Sequence, residues 1–342
     1  MQDKLPVSEQ GIFSFRTDTD IVKEFDLIEA FFKEKGHQRR DVQIGIGDDA
    51  AVLSVPAGQS LVVTTDTLID GVHFPHNTPG RAVASKAVAV NLSDLAAMGA
   101  EPAWLSLSLS IPQVDENWLN GFSLGLQELT DYYSVQLIGG DTVRGPLSIT
   151  VTAQGFVPQN QALTRSGAKP GDWIYVTGTL GDAGLGLDMM QGRMDVAARH
   201  KNYLSNRLNC PTPRVLAGTM LRRIATSCID ISDGLIQDLR HILKASDVSA
   251  IIQVDKLPFS QAMQDAVVNE QAIRYALTSG DDYELLFTVP EEQKSNLQHA
   301  LSTTSEPVTC IGQITGGQDK LELRRGKEKV SYEMLGYQHF GD

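Results

Sequence analysis

Val90-Asn91-Leu92-Ser93-Asp94-Leu95-Ala96-Ala97-Met98-Gly99-Ala100 sets an amide and a carboxylate three residues apart in an otherwise small and apolar run. Residues three apart share a helix face, so Asn91 and Asp94 point the same way. A carboxylate in apolar company is costly without a cationic partner, and no Lys or Arg lies within the stretch. A metal ion is the natural compensation. Four other stretches group with it: Gly47-Asp48-Asp49, Thr64-Thr65-Asp66, Gly139-Gly140-Asp141 and Asp230-Ile231-Ser232-Asp233.

Outward from that helix, Pro79-Gly80 opens it, Lys86 rides on it and Gly99 stops it. Trp104 to Ile111 alternates Ser with large apolar residues, the period of a half-buried strand. Upstream, Asp20 caps a helix with Ile21, Phe25, Ile28 and Phe32 at helical spacing, and short strands follow near 42–46, 51–55 and 61–63. On this pattern Asp66 falls just past a strand end. Downstream, a helix runs from Asp115 to Tyr133 and a strand at 135–138 ends in Gly139-Gly140-Asp141, with another strand at 147–157. Thr164 to Asp172 is dense in turn formers and marks a domain boundary. Residues 1–165 are then one α/β domain and 166–342 a second. In the second, strands are expected at 173–177, 228–231, 248–254, 284–289 and near 310 and 321. Helices are expected at 181–190, 213–225, 235–245, around 262 and 272, and at 291–301.

A chain of 342 residues suits two domains. The net charge of −13 argues against nucleic acid or an anionic membrane as partner. Cys210, Cys228 and Cys310 are far apart, so neither a disulfide framework nor a zinc site is suggested. Residues 1–19 read as a loose polar leader without a basic region followed by an apolar run, and with no 18-residue apolar stretch elsewhere this points to the cytoplasm.

Clustered carboxylates repel by roughly 4 kcal/mol per pair at about 4 Å and an effective dielectric of 20, so convergence demands cations. Oxygen-only donors, with the Thr64 and Thr65 hydroxyls or carbonyls beside Asp66, suit Mg²⁺ shared with substrate phosphates. Gly45-Ile46-Gly47-Asp48-Asp49-Ala50 formally fits a dinucleotide fingerprint, but Ala51 to Pro56 reads as a strand and paired Asp would repel phosphates. No Walker loop or protein-kinase signature occurs. Gly178 to Gly186 is either a phosphate cradle or a close-packing helix start. Pro75 spoils a helical His73/His76 metal pair.

Taken in order, Gly47-Asp48-Asp49-Ala50, Thr64-Thr65-Asp66-Thr67, Asn91 to Gly99, Ile138-Gly139-Gly140-Asp141-Thr142, Leu163-Thr164-Arg165-Ser166-Gly167 and Asp230-Ile231-Ser232-Asp233-Gly234 resemble the thiamine-monophosphate kinase family, within the aminoimidazole ribonucleotide synthetase superfamily. The resemblance implies an α/β (α+β) fold of two domains, the N-terminal one forming a β-barrel-like homodimer core. It implies ATP-dependent phosphorylation of thiamine monophosphate through several Mg²⁺ ions. It carries over Asp49, Asp66, Asp94, Asp141 and Asp230 as Mg²⁺ ligands, with Thr64, Thr65 and Asp233 assisting. Gly140, Asp141, Arg165 and Ser232 match the ATP site, and His73, Asp281 and Tyr337 the substrate site. Asp94, Asp141 and Arg165 are the expected catalytic groups. Position 281 departs from the family pattern, which has Glu in Gly-Glu-Asp-Tyr-Glu. Rival readings are a sister ATP-dependent synthetase acting on an amide or selenide, a nicotinamide oxidoreductase built on residues 45–50, and a metal-stabilised binding module.

Overall fold

The computed structural model describes residues 24–332 apart from 303, 305 and 319. Asp20, Ile21 and Tyr337 lie outside the described residues. Helix α1 (Glu24–Phe31) precedes an antiparallel ribbon of β1 (Val42–Ile44) and β2 (Val52–Leu53). Then come β3 (Gln59–Ile69), α2 (Gly80–Ala97), β4 (Glu101–Ile111), α3 (Glu116–Tyr133), β5 (Gln136–Arg144) and β6 (Ser148–Pro158). The four long strands form one sheet in the order β3-β6-β4-β5, with β4 and β5 parallel and the other pairs antiparallel.

Helix α2 is the centre of the molecule. Fifteen of its eighteen residues are buried, which explains its small, all-round apolar composition: a helix covered on every side needs no polar face. Gly80 and Gly125 let α3 approach, since a Cβ on either would meet backbone oxygens at 2.1 and 2.3 Å. Gly218 does the same on the other side, where a Cβ would stand 2.0 Å from the Ala96 carbonyl oxygen. The sheet supplies the third wall, with Ile149, Val151, Ala153, Leu105, Leu107 and Leu109 buried against the helix layer.

The C-terminal half holds β7 (Trp173–Thr177), α4 (Asp182–Met190), α5 (Ala198–Asn209), α6 (Val215–Leu221), β8 (Ser227–Asp230), α7 (Leu235–Ser246) and β9 (Ser249–Gln253). It continues with α8 (Gln261–Ala266), α9 (Asn269–Thr278), β10 (Leu285–Val289), α10 (Lys294–Leu301), β11 (Val308–Thr315), β12 (Leu321–Arg325) and β13 (Glu328–Val330). Its seven-stranded sheet runs β13-β12-β9-β11-β7-β10-β8. That places β8, and with it Asp230, at the edge facing α2.

Two acids sit differently from the sequence expectation. Asp66 lies inside β3 rather than past its end, and Asp141 lies inside β5 rather than after it. Thr64, Thr65 and Thr67 favour extended backbone, and an unbroken ladder to β6 carries β3 through to Ile69. At Gly140 the two chains are so close that a Cβ would stand 1.8 Å from the Leu107 carbonyl oxygen, so glycine here continues the strand instead of ending it. Helix α5 and strand β13 had no counterpart in the sequence reading. The expected helix at 291–301 begins with a 3₁₀ turn, Glu291–Gln293.

Candidate active site

Strand alternation decides which acids meet. Register pairs Asp66 with Val151, Val151 with Leu107 and Leu107 with Gly140, so Asp66 shares the inner face with the buried apolar row beneath α2. Thr64, two residues earlier, faces the same way and donates its hydroxyl to Asp94 Oδ2 at 2.5 Å. From the C-terminal sheet Asp230 arrives at the end of β8, accepting from Ser93 Oγ at 2.7 Å. Asp66, Asp94 and Asp230 thus converge where β3, α2 and β8 meet.

Their electrostatics record the crowding. Burial, and secondly the charge of Asp94, push the Asp66 carboxyl up to about 6. Burial raises Asp94 despite the Thr64 hydrogen bond and the Arg165 charge. Burial raises Asp230 too, with Asp94 and Asp66 adding to it. None of the three forms an ion pair among the described residues. Asn91, one turn before Asp94, is wholly buried; its amide donates to the Ala87 carbonyl at 2.9 Å while Oδ1 has no partner. Unneutralised carboxylates and an orphaned amide oxygen are hard donors, a set that fits Mg²⁺. Among the described residues no three His, Cys, Asp or Glu side chains stand ready to hold an ion by themselves. Mg²⁺ suits such an open set, because it keeps waters and takes phosphate oxygens as further ligands.

Asp49 and Asp141 form a second group. Asp141 pairs with Ser108, which pairs with Thr150, on the outer face of the sheet. It lines a cleft of about 720 Å³ with Asp48, Asp49, Gly139, Gly140, Ile28 and Phe32. Asp66 and Asp141 belong to opposite edge strands, three steps apart, or about 14 Å at ~4.8 Å per strand. In a single chain, therefore, the Asp66 and Asp141 side chains point to opposite faces of one sheet. Thr65 also faces outward, its hydroxyl engaged with the Val151 carbonyl and Thr152, so only its backbone remains for the inner group.

The remaining expected residues divide likewise. Gly140 goes with Asp141. Arg165, exposed, lies near enough to Asp94 to act on its charge. Ser232 sits just past Asp230, its carbonyl accepting from Asp281 N at 2.9 Å. Asp233 accepts from Gln237 Nε2 at 2.9 Å at the start of α7.

Residues 47–157 match the AIR synthase related protein, N-terminal domain, family, and residues 169–324 match its C-terminal domain counterpart. A thiamine-monophosphate kinase of Escherichia coli (strain K12) is 54% identical over 318 residues, 93% of this chain and 98% of that protein. The chain belongs to the thiamine-monophosphate kinase family. The solved thiamine-monophosphate kinase of Stenotrophomonas maltophilia K279a shares 45% of its sequence and superposes with a TM-score of 0.80, covering 87% of this chain and 94% of that one. AaThiL complexed with AMPPCP and TMP is 31% identical with a TM-score of 0.73, covering 86% and 92%.

As a thiamine-monophosphate kinase family member the chain is an enzyme, and its loop at 280–284 differs from the expected family pattern. Asp281 Oδ2 meets the Lys86 ammonium at 3.1 Å, and Oδ1 accepts from Tyr283 OH at 3.1 Å. Asp282 is buried and accepts from Gly181 N at 2.7 Å; Glu284, also buried, binds Arg214 through two hydrogen bonds of 2.6 and 2.7 Å. Those bonds settle the Gly-rich stretch as a packing device. The N–H of Gly181 is already taken, and a Cβ on Gly178 or Gly186 would meet Glu284 or the Leu204 carbonyl within 2.5 Å. His73 Nδ1 accepts from Ile69 N at 3.0 Å while His76 pairs with Asp70, so the two rings do not act as a metal pair. Sequence reading gave no role to Lys86, Ser93 or Tyr283. The one signal available was a lysine in a helix of small residues.

Proposed function

We propose that the protein transfers the γ-phosphoryl group of ATP directly to thiamine monophosphate, yielding ADP and thiamine diphosphate, by in-line attack of the acceptor phosphate. The observation that carries this is the trio of half-buried Asp66 and Asp94 and buried Asp230, contributed by both halves of the chain and lacking any ion pair among the described residues. The acceptor is a phosphate, already a nucleophile at neutral pH, so positioning and charge neutralisation suffice. The inner trio would hold Mg²⁺, with Thr64, Asp233 and the Thr65 backbone beside it. Mg²⁺ there supplies charge neutralisation to donor and acceptor oxygens.

The chain's own groups do the rest. Thr64 orients the Asp94 carboxylate, and Ser93 orients Asp230. Arg165 adds positive charge at the mouth of the trio, where the transferred group is most negative. His73, its Nδ1 accepting from Ile69 N, presents its imidazole ring to the substrate, and Asp281 presents a carboxylate to the cationic organic part. The Asp49–Asp141 cleft with Gly140 takes the nucleotide.

A homodimer joins the two acidic groups. Leu61, Val63, Ile69 and Val143 are all more than two-fifths exposed on the outer sheet face, an apolar surface that a second copy would cover. Asp66 and Asp141 lie on opposite edge strands, so each site would draw Asp141 from one chain and Asp66 from the other. This enzyme is assigned to the cytoplasm on its cysteine usage; among the described residues no helix is long and apolar enough to cross a membrane.

Coupled ADP detection with ATP, Mg²⁺ and thiamine monophosphate tests the reaction, and absence of acceptor-dependent ADP rejects it. Mixing inactive Asp66→Asn and Asp141→Asn chains tests sharing: refolded mixtures regain about one quarter of wild-type activity if sites are shared, and none if each chain is self-sufficient.

A further inference from the structure

We propose that Lys86 is a positioning residue for the organic substrate, holding the Asp281 carboxylate and the His73 backbone in one fixed geometry. This rests on the kinase reading above. Lys86 comes from α2 and is 2% exposed, among the largest fully buried side chains in the molecule. Its ammonium donates to the His73 carbonyl at 2.9 Å and meets Asp281 Oδ2 at 3.1 Å. One cation therefore ties the loop after β3 to the loop before β10, the two segments that carry both described substrate contacts.

The loop it holds is fixed from every side. Asp281 and Tyr283 both adopt left-handed backbone, at φ 68° and 50°, conformations that non-glycine residues occupy only when their surroundings impose them. Asp281 N and Tyr283 N donate to the carbonyls of Ser232 and Ile231, and a Cβ on Gly280 would stand 2.3 Å from the Ser232 carbonyl oxygen. Tyr283 OH takes the carboxylate's second oxygen. Both oxygens are thus oriented while the side chain of Asp281 stays 33% exposed, open to a ligand. For stability alone the arrangement is wasteful: a buried ammonium loses its hydration, and an apolar chain of similar length fills the same volume. What the cation adds is orientation of a carboxylate that has backbone strain and a tyrosine devoted to it as well.

The test is steady-state kinetics on the full-length enzyme with Lys86→Met, Asp281→Asn and their combination, varying thiamine monophosphate and ATP separately. For Lys86→Met the KM for thiamine monophosphate rises about tenfold or more, the worth of one charge-assisted hydrogen bond. The KM for ATP stays within about twofold. The double variant falls short of the product of the single effects, because Lys86 acts in part through that carboxylate. Equal rises in both KM values, an unchanged KM for thiamine monophosphate, or multiplying single effects overturn the proposal. Should Lys86→Met fail to fold, Tyr283→Phe removes only the hydroxyl on the other oxygen; a selective rise in the same KM supports the oriented carboxylate, and no rise overturns it. Wild-type protein separates the two levels. No acceptor-dependent ADP sinks the kinase reading, whereas normal turnover with an indifferent Lys86→Met sinks this inference alone.

Discussion

Asp66→Asn should stabilise the metal-free protein. Asp66 has no hydrogen-bond partner among the described residues, and burial with the Asp94 charge pushes its carboxyl from 3.8 to about 6. Two units at 1.36 kcal/mol each bound the cost of keeping it ionised at about 3 kcal/mol, and partial solvent contact brings this to about 1–3 kcal/mol. Because the folded value is raised, the folded chain binds the proton more tightly than the unfolded one. The associated stability is complete below about pH 4 and is lost as pH rises through about 6. In EDTA near pH 7.5 the asparagine variant should melt about 2–8 °C above wild type, and the difference should vanish near pH 4. Adding Mg²⁺ should reverse the order, since only the wild type keeps the ligand that couples binding to folding. Differential scanning calorimetry in both buffers reads this out. A variant that melts below wild type in EDTA would show that Asp66 has a stabilising partner, and the picture of an unneutralised acid trio would fall.

Asp94→Asn should lower kcat/KM by about a hundredfold or more while leaving the circular dichroism spectrum unchanged, because the amide keeps an acceptor for Thr64 but loses the charge; a variant near wild-type activity removes Asp94 from the chemistry. Gly140→Ala should cost about 3 kcal/mol or more in denaturant unfolding, because its methyl would stand 1.8 Å from the Leu107 carbonyl oxygen and force β5 from β4. Arg214→Leu should cost about 3–5 kcal/mol, since it strips two of the hydrogen bonds from the buried Glu284 carboxylate and leaves that charge with the Thr177 hydroxyl and Arg207. Urea unfolding reads both, and a loss under about 1 kcal/mol in either would contradict the stated contact.

Much of the molecule could be read locally. The helix through Asn91 and Asp94 announces itself by composition, because a helix buried on all sides must be small and apolar, and its acid then stands out. Residues 45–50 do not open a helix and are followed by a short strand, β2, as the β-type sequence at 51–55 requires. The strand expected at 228–231 forms as β8, one residue earlier, with Asp230 at its end.

Sidedness and register were beyond sequence reading. Whether Asp66 and Asp141 share a site depends on which face of which edge strand each occupies, and a shift of one residue in the β3–β6 ladder would exchange the faces. Extending both strands through their acids was a tertiary result as well, since the neighbouring ladders supply the hydrogen bonds that a local turn signal suggested would be lost. Lys86 shows the same division. Its sequence says only that a charge sits in an apolar helix; the loops at 73 and 281, more than two hundred residues apart, come together around it only when the two halves pack. By itself the sequence determined most of the elements, the acidic motifs and the family they resemble, because those depend on neighbours along the chain. Tertiary structure alone decided which acids face one another and what neutralises the buried lysine, because those depend on neighbours across it.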